Sequence, residues 1–261
     1  MNVNRREFLR IAGLATVLGA GGKAAVVALS EDETGAAQVL AGEAALVGSK
    51  WAMVVDLKKC LEAPNGCTKC REACHRVHNV PDFGNPKDEI KWIWNEQYEH
   101  AFPSDENEHM VETLKNKPVV VLCNHCENPP CVRVCPTKAT WKRKDGIVMM
   151  DFHRCIGCRF CMAACPYGSR SFNWRDPRPF IKELNQEFPT RTQGVVEKCN
   201  FCNERLARGQ IPACVEVCPQ KAMVFGDMED ADSQVRQILS ANFSIRRKPE
   251  LGTNPQVYYI V

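Results

Sequence analysis

Sixteen cysteines fall into four groups of four along this 261-residue chain, and none is left over. The groups are Cys60, Cys67, Cys70 and Cys74; Cys123, Cys126, Cys131 and Cys135; Cys155, Cys158, Cys161 and Cys165; and Cys199, Cys202, Cys214 and Cys218. Disulfide frameworks belong mostly to much shorter chains and do not require such regular grouping. The third group, CIGCRFCMAACP, has the C-x2-C-x2-C-x3-C-P spacing of the bacterial ligand run for a cubane 4Fe-4S cluster. In that pattern three closely spaced thiolates hold one cluster, while the fourth ligates a neighbouring one. One such run therefore implies a second. CNHCENPPCVRVCP supplies it, with a wider gap between its second and third cysteines.

Between these two runs, ATWKRKDGIVMMD sets Asp145-Gly146 between two strand-like pieces. Asp-Gly predicts a hairpin through a type I′ turn, with positive φ at both central residues. The central stretch thus reads as a two-cluster ferredoxin-like module. An internal repeat extends the argument. Asp56 stands four residues before Cys60 as Asp151 stands four before Cys155, each after a short apolar run. CNHC…PPCVRVCPTKAT from Cys123 likewise parallels CNFC…PACVEVCPQKAM from Cys199. The first and third groups are one type of unit, the second and fourth another. The centre holds one of each, and the outer pair completes a module only if the fourth group folds back onto the first.

The expected fold is therefore α+β: two nested ferredoxin-like modules with short strands and helices around four 4Fe-4S clusters. Exchange of the fourth cysteine assigns the ligands. Cys60, Cys67 and Cys70 take Cys218 (cluster 1), and Cys123, Cys126 and Cys131 take Cys165 (cluster 2). Cys155, Cys158 and Cys161 take Cys135 (cluster 3), and Cys199, Cys202 and Cys214 take Cys74 (cluster 4). The first group departs from the pattern: LEAPNG separates Cys60 from Cys67, and His75 rather than proline follows Cys74. The repeat with Asp56 makes Cys60 a ligand; the alternative is a loop thiol beside an incomplete or different cluster. His75, His78 and His125 lie near cysteines and are expected to hydrogen-bond a cluster sulfur or the backbone rather than a metal. No Cys-x-x-Cys-His occurs, which argues against covalent c-type haem.

The expected layout is a signal over residues 1–30, a linker over 31–50, and an outer module from 51–78 and 195–226. An insertion spans 79–117, the inner module 118–172, a connection 173–194 and a C-terminal tail 227–261. In the signal, Arg5-Arg6 and Phe8-Leu9 precede a Gly- and Ala-rich run broken by Lys23. That is a twin-arginine export address, not the roughly 20 apolar residues of a spanning helix. Trp92, Trp94 and Tyr98 in the insertion read as a layer over the central module, with partner docking open as a second role. WAMVVD and the VVVL before Cys123 read as strands, SQVRQILSANF as a helix, and QVYYIV as a strand that closes the outer sheet or pairs with another subunit.

The formal charge of +3 is carried by residues 1–30, where Arg5, Arg6, Arg10 and Lys23 outnumber Glu7. The remainder is neutral and has no electrostatic footprint for nucleic acid. Paired Cys-x-x-Cys motifs also build zinc ribbons, but Cys-Pro after three groups and the four-plus-four spacing argue against zinc. A radical enzyme is disfavoured because no C-x3-C-x2-C run occurs, and sixteen ligands for four cubanes leave no iron open to a substrate.

Over nearly all of residues 50–261 these motifs resemble the four-cluster ferredoxin-like subunits of membrane-bound oxidoreductases. That family includes the electron-transfer subunits of polysulfide reductase, dimethyl sulfoxide reductase and the formate-dependent nitrite reductase system. Within it, the twin-arginine start, the widened first motif, CHRVHNVP and the NPQVYYIV end look most like the subunits of a membrane complex of sulfate-reducing and sulfur-oxidising microbes. The resemblance implies a subunit on the periplasmic face that is no enzyme on its own. It would relay electrons in sulfite or sulfate respiration between a multihaem cytochrome c and an integral membrane subunit handling quinone. The resemblance also pairs the motifs first with fourth and second with third.

Overall fold

The computed structural model describes residues 44–64, 66–105 and 114–261, so the expected twin-arginine signal and most of the expected linker lie outside the described residues. The elements are short. Ten strands run as β1 (Trp51–Asp56), β2 (Ile93–Gln97), β3 (Pro118–Leu122), β4 (Thr140–Lys142), β5 (Val148–Met150), β6 (Ser171–Phe172), β7 (Val196–Glu197), β8 (Met223–Asp227), β9 (Ser244–Ile245) and β10 (Val257–Ile260). The α-helices are α1 (Leu57–Leu61), α2 (Lys69–Val77), α3 (Tyr98–Ala101), α4 (Pro130–Arg133), α5 (Phe160–Ala164), α6 (Asn203–Leu206), α7 (Ala213–Glu216) and α8 (Gln234–Ala241). This is a mixed α+β protein of small sheets. None of its described helices is long and apolar enough to cross a membrane.

The main sheet has the order β8-β1-β10-β9. Strand β1 is buried on both faces because alternate side chains enter different cores. Trp51, Met53 and Val55 join the large core that reaches the cysteine groups, while Ala52 and Val54 meet Val235 of α8. Of the two roles open to the final strand, it takes the first: β10 lies parallel to β1, with Met53 opposite Val257 and Val55 opposite Tyr259. The insertion supplies β2, which pairs antiparallel with β3 from Ile93–Leu122 to Gln97–Pro118. Trp92 and Trp94 are both buried there, and the Trp92 indole donates to Glu197 Oε2 at 2.9 Å.

Strands β4 and β5 form the expected hairpin, pairing Thr140 with Met150 and Lys142 with Val148. Its turn differs from the expected type. Only Gly146 has positive φ (85°), and the turn closes through Gly146 N–H to Arg143 O at 3.1 Å. Asp145 keeps an ordinary φ because this turn has Lys144 and Asp145 at its centre and Gly146 in the left-handed position after them, with Arg143 N–H closing onto Ile147 O at 2.9 Å. The Asp145 carboxylate pairs with Arg143 at 2.7 Å, and its carbonyl accepts Trp51 N–H at 3.0 Å, tying the hairpin to the outer sheet.

The repeated aspartates have a common local use. Asp56 caps α1 by accepting Lys59 N–H at 3.0 Å, and Asp151 accepts His153 N–H at 2.9 Å. Each fixes the turn by which the backbone enters a cysteine group.

Candidate metal centre

In every group the residue before the second cysteine has a left-handed backbone: Gly66 (φ 60°), His125 (40°), Gly157 (69°) and Phe201 (54°). Such φ values are uncommon for non-glycine residues, so their recurrence marks one turn built four times. The widened first group rejoins the pattern here. The turn aims successive N–H groups inward and makes a concavity suited to an anionic sulfur cluster. A second left-handed residue follows three of the fourth cysteines at the same offset: Lys138, Gly168 and Lys221. It turns amides onto the sulfur just passed, as where Ala222 N–H reaches Cys218 Sγ at 3.2 Å.

Cys74 lacks this device, having neither the proline nor the left-handed turn. It lies inside α2, and His78 one turn later sets Nδ1 at 3.6 Å from its sulfur and 2.9 Å from its carbonyl oxygen. The other ring nitrogen meets Glu204 at 2.8 Å, and the ring stacks on Trp92 at 4.4 Å. His78, Cys202 and Glu204 thus bring ligand-type atoms within 4.8 Å of one another. Cys202 itself neighbours Cys199 and Cys214, so His78 and Glu204 stand beside that thiol set, His78 contacting its expected fourth member Cys74 and Glu204 holding the ring. His125 Nδ1 accepts Val148 N–H at 3.0 Å, the backbone role expected of it. His75 is half-buried, and the desolvation of its ring lowers its pKa to about 4 and keeps it neutral.

None of the sixteen cysteines is paired in a disulfide. Cys123, Cys126, Cys131 and Cys165 line one internal cavity together with Arg170. Burial, with Cys123, Cys131 and Cys165 acting in the same direction, pushes the Cys126 thiol up to about 12. Cys60, raised to about 11 by burial, feels Cys218 and Cys67; Cys70, raised to about 12, feels Cys60, Cys67 and Cys218. Cys60 therefore stands among the other three of its expected set. Cys74 is raised well above the ordinary thiol value by burial and then by Cys199, Cys202 and Cys214. Of the remaining set, burial raises Cys161, which neighbours Cys155; Cys158 is exposed. Cys135 alone is lowered: burial opposes this, but hydrogen bonds from Thr140, Thr137 and Ala139 outweigh it.

The helices carrying these thiols meet in pairs. Helix α2 packs against α7, joining the first group to the fourth, and α4 packs against α5, joining the second to the third. Buried thiols crowded in fours resist ionisation, and a thiophilic cation that binds thiolates outright relieves the crowding. The donor sets therefore fit cubane iron–sulfur clusters, which when bound supply one-electron redox chemistry.

A 4Fe-4S dicluster domain model matches residues 117–178 and 184–228. An Hdr-like menaquinol oxidoreductase iron–sulfur subunit 1 of Archaeoglobus fulgidus is 43% identical over 229 residues, covering 80% of this chain and 82% of the relative. This protein belongs to that family of iron–sulfur electron-transfer subunits. As a member it carries four 4Fe-4S clusters and is the electron-transfer component of an oxidoreductase complex, not a catalyst alone. Other relatives are the menaquinone reductase iron–sulfur cluster-binding subunit of Nitratidesulfovibrio vulgaris and the polysulfide reductase B subunit of Wolinella succinogenes. The first is 36% identical over 236 residues, 81% of this chain and 88% of the relative. The second is 35% identical over 215 residues, 82% and 95% respectively.

Two buried cations were not foreseen from the sequence. Arg170 and Lys198 lie among the cysteines of neighbouring groups. The sequence could have offered only their positions: Arg170 five residues after Cys165, and Lys198 immediately before Cys199.

Proposed function

We propose that this subunit passes electrons along a line of four clusters between a redox partner and a quinone-handling membrane subunit. One observation carries the reading: neighbouring thiol sets interact end to end. Cys70 of the first set raises Cys74 and Cys214, Cys123 raises Cys199, and Cys131 raises Cys161. The sets thus follow in the order cluster 1, cluster 4, cluster 2, cluster 3, under the ligand assignment made from the repeat. The two nested modules are the two halves of that line.

Cluster 3 forms one end. Cys158 is the exposed cysteine, and Ile156 (67% exposed), Phe160 (60%) and Trp174 (52%) surround its loop with apolar surface. Such surface suits a docking partner.

The respiratory setting we propose is sulfur-compound metabolism, with the protein as a DsrO-type subunit of a DsrMKJOP complex. The CHRVHNVP and NPQVYYIV segments support this, as do relatives whose names include menaquinol, menaquinone and polysulfide. The partners are then an integral membrane subunit and a multihaem cytochrome c. The site is the periplasmic face of the cytoplasmic membrane, reached by the twin-arginine route.

Purification of the tagged protein from native membranes, with identification of its companions, tests the assignment. Co-purification of a multihaem cytochrome and an integral membrane protein is expected. A polysulfide, nitrite or hydrogenase-type catalytic subunit in their place would move the relay to that complex. Changing Arg5 and Arg6 to lysine should retain cluster-loaded protein in the cytoplasm, and undiminished export of that variant overturns the address.

A further inference from the structure

Four cations are buried among the described residues: Arg170, Arg191, Lys198 and Arg247. An ionised side chain taken from water needs compensation. Arg191 has it in Glu197 at 2.6 Å. Arg247 lies over the rings of Tyr167 (5.5 Å) and Trp94 (5.8 Å), where the π faces attract it.

Arg170 and Lys198 have no carboxylate partner among the described residues. Arg170 donates to Thr140 Oγ1 at 2.8 Å and lines the cavity of Cys123, Cys126, Cys131 and Cys165. It also donates to Met150 Sδ at 3.7 Å, and Met150 packs against the hydrophobic cluster of Cys131 and Cys161, which belong to different sets. The Arg170 guanidinium is permanently charged. Lys198 donates to the carbonyl of Cys199 at 2.6 Å and to that of Val148, which lines the same cavity; burial lowers its pKa, and the thiols of Cys123, Cys199 and Cys131 act against that. Each cation therefore stands at a junction, Arg170 between clusters 2 and 3, Lys198 between clusters 4 and 2.

We propose that Arg170 and Lys198 are shared counter-ions of adjacent clusters, and that cluster 2, touched by both, has the highest reduction potential of the four. The inference rests on the relay reading above. Reduction adds negative charge to a cluster, so a fixed cation at its sulfurs favours the reduced form. Cluster 1 faces neither cation. Buried placement preserves the effect against salt screening.

The test is a redox titration of the iron–sulfur-loaded full chain, followed by electron paramagnetic resonance. Arg170→Gln should lower clusters 2 and 3 by at least tenfold in the reduction equilibrium, equivalent to about 59 mV for one electron. Lys198→Gln should lower clusters 4 and 2 comparably. Only cluster 2 should respond to both, and cluster 1 to neither. Arg170→Lys and Lys198→Arg, which keep the charge, should stay within about threefold of wild type.

Unchanged potentials in fully loaded glutamine variants, or equal shifts in all four clusters, overturn the proposal. Should the glutamine variants fail to load, the charge-keeping variants decide: a tenfold fall in a loaded Arg170→Lys protein shows that charge is not the cause. A wild-type protein without four clusters fails the relay reading itself, before any variant is compared.

Discussion

Arg191 and Glu197 form an ion pair at 2.6 Å with both side chains shut off from water. The same carboxylate accepts the Trp92 indole N–H at 2.9 Å and the Asn173 amide at 2.6 Å. The guanidinium in turn donates to the carbonyls of His78 at 2.5 Å and Asn79 at 2.8 Å. One polar knot therefore fastens the end of the outer helix α2, the insertion and strand β7 together. Removing one partner of a buried pair strands the other charge, at a cost of about 3–5 kcal/mol. Arg191→Met should accordingly lower the thermal midpoint for loss of cluster absorbance by on the order of 10 °C. Adding Glu197→Gln to it should recover part of the loss. An Arg191→Met protein that melts like wild type would mean the pair is not buried.

Two glycines with nearly the same backbone should respond differently to alanine. Gly157 (φ 69°) would set its new Cβ 2.4 Å from Gly194 O, whereas Gly168 (φ 64°) faces open space. Gly157→Ala must distort the turn between Cys155 and Cys158, and we expect cluster 3 to be lost or converted to a smaller species. Gly168→Ala should cost only the left-handed strain, roughly 1 kcal/mol, and Lys138 and Lys221 already tolerate side chains at the matching offset. Iron content and electron paramagnetic resonance of the two variants, side by side, check the difference.

Much of this was legible because cysteine spacing is a strict code. The grouping, the repeated aspartates and the strands β1 and β3 came directly from it, since alternating apolar residues and fixed ligand gaps leave few ways to fold. The turn at Asp145 was misread because its hydrogen bonds run from Gly146 N–H to Arg143 O and from Arg143 N–H to Ile147 O, so Gly146 follows the two central residues instead of being one of them, a loop length that an Asp-Gly pair alone does not specify. Arg170 and Lys198 were missed for a related reason. On composition a lone cation reads as solvated, and only packing shows that these face sulfur. His78 was seen as a neighbour of cysteine, but its bond to Glu204 spans 126 residues and has no sequence sign.

Exchange of the fourth cysteine makes a prediction that crosses groups. Cys74→Ser should damage the cluster of Cys199, Cys202 and Cys214, and Cys135→Ser that of Cys155, Cys158 and Cys161. In each case iron should fall from about sixteen towards about twelve per protein. Cys60→Ser should do the same to the cluster it shares with Cys67, Cys70 and Cys218. Damage confined to the cluster nearest in sequence would contradict the exchange. Full iron in Cys60→Ser would return that residue to a loop thiol.

Tyr259 gives a test in alkali, away from the clusters. It lies fully buried in β10 with its ring edge-on to Phe102 at 4.9 Å, and its hydroxyl finds no hydrogen-bond partner among the described residues. Burial raises its pKa from 10 to about 12, with Arg247 pulling weakly the other way. The folded state thus holds the neutral phenol while the unfolded state ionises first. The stabilising contribution is complete below pH 10 and is lost as pH rises from there, reaching about 3 kcal/mol near pH 12 at 1.36 kcal/mol per pH unit. Tyr259→Phe removes both the ionisable group and an unpaired buried hydroxyl. The variant should be no less stable than wild type at pH 7, gaining up to about 1 kcal/mol, and should fall less steeply between pH 10 and pH 11. Thermal midpoints of the two proteins across that window provide the measurement. Parallel curves would mean that the alkaline loss comes from another group.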